Sequence, residues 1–141
     1  MKKLLFAMVS LVAMLAFVSC GPAVTQAKTG QPFSLAIGQR AEIGGQNLSI
    51  KLLDVFGDSR CPKGVQCIWA GQVSCLFQVT PTGSAPYEVI IIQGGSSTAT
   101  QTVQGLEFSF NVTPYPEAGK QISLSEYKLI LTVEKLPPSP D

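Results

Sequence analysis

Reactive and charged side chains crowd most closely in the run Asp58–Gly71, DSRCPKGVQCIWAG, of this 141-residue chain. Cys61 and Cys67 enclose a short segment in which Pro62 and Gly64 favour a tight turn. In an oxidising compartment this spacing predicts a disulfide. Closing so short a loop contributes roughly 2–3 kcal/mol in the chain-entropy model. Asp58 suits a turn stabilised through its own backbone bonds, and Arg60 has Asp54 and Asp58 near it in sequence as ion-pair partners. Lys63 stands inside the closed loop. Trp69, the only tryptophan, is expected to pack over the bridge; the alternative is an exposed aromatic anchor for a partner. A second stiff segment is VTPYPEAGK, Val112 to Lys120, where Tyr115 lies between Pro114 and Pro116. A stiff loop loses less entropy on binding, although an ordinary crossover between strands also accounts for it. The candidate binding residues are Asp58, Arg60, Lys63, Trp69 and Tyr115.

Composition narrows the chemistry. The chain has no histidine, which removes the commonest general base and the commonest metal ligand. Cys61, Cys67 and Cys75 lack a paired C-x2-C spacing, so no metal site is expected, and no cofactor motif is present. There is no Gly-x-Ser-x-Gly and no phosphate-binding glycine loop. Acid–base catalysis would fall to carboxylates such as Glu42 with Asp54 or Asp58, and nothing in their spacing selects them. The expectation is a protein that is not an enzyme. Two alternatives stand beside it: a protease inhibitor presenting Lys63 on the 61–67 loop, and an enzyme with carboxylate chemistry.

The N-terminus reads as an export signal. Lys2 and Lys3 precede a run from Leu4 to Phe17 that is apolar apart from Ser10. It is shorter than the about 20 residues of a membrane span and fits the apolar region of a signal peptide. The following Phe17-Val18-Ser19-Cys20 resembles the lipobox of bacterial lipoproteins. That resemblance implies cleavage before Cys20, with residues 1–19 removed and Cys20 carrying lipid. Several acyl chains on one cysteine hold stably where a single chain binds marginally. Gly21 is not the acidic residue that retains some lipoproteins at an inner membrane. The expected location is therefore the cell envelope: the outer membrane if the host has one, otherwise the outer face of the cell membrane. Lys2 and Lys3 leave with the signal, so the mature chain is close to neutral, which gives no basic footprint for nucleic acid.

The elements that must carry the 58–71 run read as strands. Residues 20–32 are small and polar beyond the cysteine, as in a flexible tether. From Phe33 apolar residues recur at every second position, a period that marks strands with one buried face. The runs are Phe33-Leu35-Ile37, Leu48-Ile50-Leu52, Val73-Cys75-Phe77-Val79, Tyr87-Val89-Ile91, Leu106-Phe108-Phe110-Val112 and Tyr127-Leu129-Leu131-Val133. Glycine-marked turns separate them. The expected fold is all-β: one small β-sandwich or partly open barrel of about seven to eight strands over residues 33–135, followed by a proline-rich tail, 136–141. Cys75, on the apolar face of its strand, is expected as a buried free thiol; its pairing with Cys61 or Cys67 is the alternative.

Asp-Ser-Arg-Cys-Pro, four residues, Cys, one residue and Trp-Ala-Gly together resemble the signature of an uncharacterised family of bacterial secreted proteins and lipoproteins. The resemblance extends over the domain through Phe33–Gly38, Asn47–Ile50, Pro114-Tyr115-Pro116 and Ser125-Glu126-Tyr127. It implies location and domain type, and it carries no activity or catalytic residue. The combined expectation is a lipid-anchored envelope protein with a binding domain whose partner is an envelope protein or a small ligand.

Overall fold

β-Branched and aromatic residues in alternation place one face of each long strand inside. In the computed structural model, which describes residues 24–137, they build nine strands. These are β1 (Val24–Lys28), β2 (Phe33–Ala36), β3 (Arg40–Gly44), β4 (Leu48–Phe56), β5 (Gln72–Pro81), β6 (Tyr87–Gly94), β7 (Ala99–Val103), β8 (Leu106–Thr113) and β9 (Lys128–Lys135). The expected signal peptide and the lipid site at Cys20 lie outside the described residues.

Two sheets form, with strand orders β1-β3-β4-β5-β6 and β2-β9-β8-β7. Every pairing is antiparallel except β1 with β3. The chain crosses between sheets at Gly38, whose φ of 86° suits glycine. Its N–H donates to Leu52 O across to β4. Leu35, Ile50, Leu52, Val73, Phe110, Leu129 and Leu131 are buried in one contiguous core between the sheets. Each such side chain contributes roughly 1.5–3 kcal/mol by leaving water. The fold is thus a two-sheet sandwich rather than a barrel.

Three strands lie outside the alternating runs. β1 occupies Val24–Lys28, within the stretch expected as a flexible tether. Only Ala27 of β1 is buried, and its pairing with β3 is what orders the rest. β3 offers just Ala41 and Ile43 to the core. β7, ATQTV, has no fully buried residue. β1 and β7 are edge strands, held by backbone ladders more than by apolar burial, and β3 has only two inward residues, so the period-two signal is faint in all three. The count is nine rather than seven to eight. One turn of 3-10 helix, Leu124–Glu126, completes the connection from β8 to β9.

Candidate functional site

The segment 57–71 continues the β4–β5 hairpin and then folds over the end of the sandwich. Ser59 N–H donates to Gln72 O (2.8 Å) and Cys61 N–H to Ala70 O (2.8 Å), which extend the ladder of β4 and β5 outward. Cys61 and Cys67 are bridged, with Cα atoms 5.9 Å apart. Beyond the bridge the loop meets the 114–127 connection. Lys63 N–H donates to Pro116 O (2.9 Å), and Ala118 N–H donates to Lys63 O (3.3 Å).

A buried arginine ties this loop to the second sheet. Arg60 is only 2% exposed. Its Nε donates to Asp58 Oδ1 (2.8 Å) and its Nη2 to Asp58 Oδ2 (2.7 Å), a two-pronged ion pair. Nη1 donates to Val112 O (2.7 Å), and Nη2 also reaches Pro114 O (3.0 Å). The Arg60 backbone N–H donates to Asp58 Oδ1 (3.2 Å), closing the turn that the sequence suggests. Tyr127 Oη donates to Asp58 Oδ2 (2.9 Å), so both carboxylate oxygens are occupied. The Tyr115 ring lies against the guanidinium, 5.0 Å from its centroid, with Lys63 Nζ at 5.8 Å from the same ring. Cation–π contacts of this kind strengthen when shielded from water.

Val112 explains why the clamp sits where it does. β7 pairs with β8 only as far as Ala99 opposite Phe110. One ladder position further on, Val112 has lost that neighbour. Its N–H donates instead to Gln93 Oε1 (2.7 Å) and its carbonyl accepts from Arg60. Gln93 is fully buried, and its Nε2 donates to Asn111 Oδ1 (2.8 Å) and Ser97 O (2.9 Å). Gln93 from β6 and Arg60 from the loop between β4 and β5 thus supply what a missing strand would have supplied to the second sheet. A buried backbone group without a partner would be costly.

Asp58, Arg60 and Tyr115 are brought together, with Lys63 beside them; Trp69 is not. It is 77% exposed and Ile68 is 97% exposed, so the expected packing of Trp69 over the bridge is not formed. Residues 63–70 are all exposed, and the stacking position on the clamp is taken by Tyr115 from a different loop. Asp58 and Arg60 form the frame of the loop, and their polar atoms are engaged with each other, Val112, Pro114 and Tyr127. Tyr127, Gln93, Gly71 and Ile68 complete the arrangement and lie outside the candidate binding residues, Tyr127 and Gly71 entering only through an alternating run or the family resemblance. Tyr127 had a signal as the first residue of an alternating run, but its hydroxyl partner lies 69 positions away.

Electrostatics support a fixed frame. Burial of Asp58 acts to raise its pKa, but the hydrogen bonds from Arg60 and Tyr127 outweigh it and hold the carboxyl below its ordinary value. Tyr127 is pushed up to about 12, first by burial and then by its bond to Asp58. A carboxylate with a lowered folded pKa contributes stability that is fully present above its unfolded value, about 4, and is lost as pH falls through the folded one. Urea midpoints are therefore expected to hold near neutrality and to fall below about pH 4. Asp58→Asn should be less stable at neutral pH and should lack that share of the acid loss. Parallel acid profiles for the two proteins would refute it.

Comparison with known protein families, curated proteins and solved structures returned no match. Among the described residues no group of three or more Cys, Asp and Glu could hold a metal ion. Glu42 lies in a cleft of about 470 Å³ whose lining has no second carboxylate. Asp54 accepts from Val55 N–H, and Asp58 is engaged by Arg60 and Tyr127. Neither Asp54 nor Asp58, the partners considered for Glu42 from sequence, lines the cleft that holds it. An apolar groove of about 630 Å³ lies between the sheets, around Leu48, Val103, Leu106 and Phe108, and a cleft of about 210 Å³ lies beside Tyr115. None of these three hollows is lined by residues 57–71.

Cys75 is the free cysteine among the described residues and is fully buried. Burial pushes its thiol up to about 12, so it is a poor nucleophile at neutral pH. A protein spanning residues 21–141 should show no reactive thiol when native and a single equivalent when denatured. Three equivalents in denaturant would overturn the Cys61–Cys67 bridge.

Proposed function

We propose that the chain is a membrane-anchored envelope lipoprotein whose β domain is a non-enzymatic binding module, presenting the 58–69 loop to its partner. The observation that carries this is the contrast within one loop. Its base is held by the buried Arg60 clamp, whereas its tip leaves Ile68 and Trp69 almost wholly in water. Large apolar side chains held out on a rigid frame are what a binding surface requires. The frame is ordered before binding, so little entropy is lost when a partner covers the tip. Lipid on Cys20 supplies the membrane attachment in this reading.

The protease-inhibitor alternative would use Lys63 on the 61–67 loop. Both main-chain groups of Lys63 are already engaged by Pro116 and Ala118, so a protease would have to displace that bridge to pair with the loop. Residues 21–141 immobilised on resin would be offered envelope extract and a panel of small envelope ligands, beside the double variant Ile68→Ser/Trp69→Ala. That variant leaves Asp58, Arg60 and Tyr115 intact. A partner retained by the wild type and lost by the folded variant supports the reading; a partner retained equally by both moves the binding surface off the loop. Cys20→Ser should release the protein from membranes, and unchanged partition would refute the anchor.

A further inference from the structure

β1 runs away from the loop-bearing end of the sandwich. Its first residue, Val24, stands opposite Arg40, which stands opposite Lys51; its last, Lys28, stands opposite Gly44. β4 runs from Leu48 towards Phe56 and the loop, so Val24 is the end of β1 nearer the loop. Cys20 precedes Val24 by four residues. A chain spans at most about 3.6 Å per residue, which keeps Cys20 within about 14 Å of Val24. From Lys51 to Phe56 the strand rises roughly 15 Å. An anchor at Cys20 therefore holds the loop-bearing end of the domain within reach of the bilayer.

The tip has the chemistry of a membrane interface. Trp69 and Ile68 are exposed, Val65 is half-exposed, and Phe56 is exposed at the end of β4. Tryptophan favours the boundary between headgroups and acyl chains, where its ring is apolar and its N–H stays wet. No acidic residue occurs from Ser59 to Pro86, and Lys63 is exposed beside the tip, β-bridged to Glu117, whose carboxylate is paired with Lys120. A cation beside apolar side chains complements an anionic leaflet. The short reach favours the bilayer over a protein partner, which would need room between loop and membrane. We propose that the tip of the Cys61–Cys67 loop docks on the same bilayer that holds Cys20, with Ile68 and Trp69 facing the lipid. This rests on the anchored-lipoprotein reading above. Its consequence is a domain held at two points and so fixed in orientation.

The sole tryptophan makes the test specific, because all indole emission comes from Trp69. The chain from Cys20 to Asp141 is coupled through the Cys20 thiol to phosphatidylcholine–phosphatidylglycerol vesicles bearing a maleimide lipid. Cys75 is buried and Cys61 and Cys67 are bridged, so coupling is confined to Cys20. The expected result is a blue shift of Trp69 emission on coupling and loss of about half its intensity to brominated acyl chains, as for an interfacial indole. Ile68→Glu should restore most of that intensity. Emission that stays red-shifted, unquenched by bromine and open to aqueous acrylamide would overturn the docking and leave the tip free for a protein partner. Chemical coupling replaces cellular lipidation, so failure here is separate from failure of the Cys20→Ser partition test.

Discussion

Arg60→Ala should lower the stability of the domain by about 3–5 kcal/mol, because it leaves the largely buried Asp58 carboxylate without its counter-charge and the buried Val112 carbonyl without its donor. The Arg60 side chain has no exposure and that of Asp58 only 10%, so solvent replaces few of the lost bonds. Were this an exposed pair, its removal would cost at most about 1 kcal/mol. The magnitude therefore separates a frame from a surface ornament. Arg60→Lys should recover only a small part. One ammonium cannot make the two-pronged contact with Asp58 and also reach Val112 O at the end of β8 and Pro114 O just beyond it. Urea unfolding followed by Trp69 fluorescence and by far-ultraviolet circular dichroism gives both numbers. A loss below about 1 kcal/mol for Arg60→Ala would mean that the loop holds its shape without the clamp.

Gly71→Ala is expected to be nearly as damaging, for a steric reason. Gly71 adopts φ 68°, and a Cβ built there would sit 1.8 Å from Ser59 O and 2.5 Å from its carbonyl carbon. Gly64, in the same loop, also has positive φ (84°), but an added Cβ meets nothing within 4 Å. Gly64→Ala should thus cost only the left-handed backbone penalty, about 1–2 kcal/mol. Gly71→Ala adds a backbone collision and should cost on the order of 3 kcal/mol or more. The amides of Ser59 and Cys61, which donate across the hairpin to Gln72 O and Ala70 O, should lose hydrogen-exchange protection in Gly71→Ala and keep it in Gly64→Ala. Equal effects of the two changes would contradict the close approach of Ser59.

Much of the sandwich could be read before any coordinates. β8 alternates without a break, and Leu106, Phe108, Phe110 and Val112 all face inward. β9 does the same with Leu129, Leu131 and Val133. The bridge between Cys61 and Cys67 is legible in the spacing, whereas adjacency leaves Arg60 with Asp54 or Asp58 as its partner and the fold selects Asp58. Contacts made by remote segments were out of reach. Val112 O, Pro114 O and the Tyr127 hydroxyl join the clamp across 52 to 69 positions, and no local pattern announces them. The expectation for Trp69 failed for the same reason: its nearest neighbours in sequence suggested a cover for the disulfide, while Tyr115 took the stacking place from another loop. β1 and β7 escaped notice because a strand held by one edge needs few apolar residues to stay paired.

The side chains of Gln93 and Arg60 at Val112 also bear on how copies of this protein tolerate one another. A β-strand that outlasts its neighbour offers an open row of donors and acceptors, and such a row recruits strands from other molecules. Here the vacant position is plugged by an amide and a guanidinium, neither of which can propagate a ladder. On the proposed membrane surface encounters between copies would be frequent, and an unplugged β8 would then become a seam for edge-to-edge polymerisation. Loss of Gln93 should accordingly register first as clumping at high density, ahead of any change in what the loop tip touches.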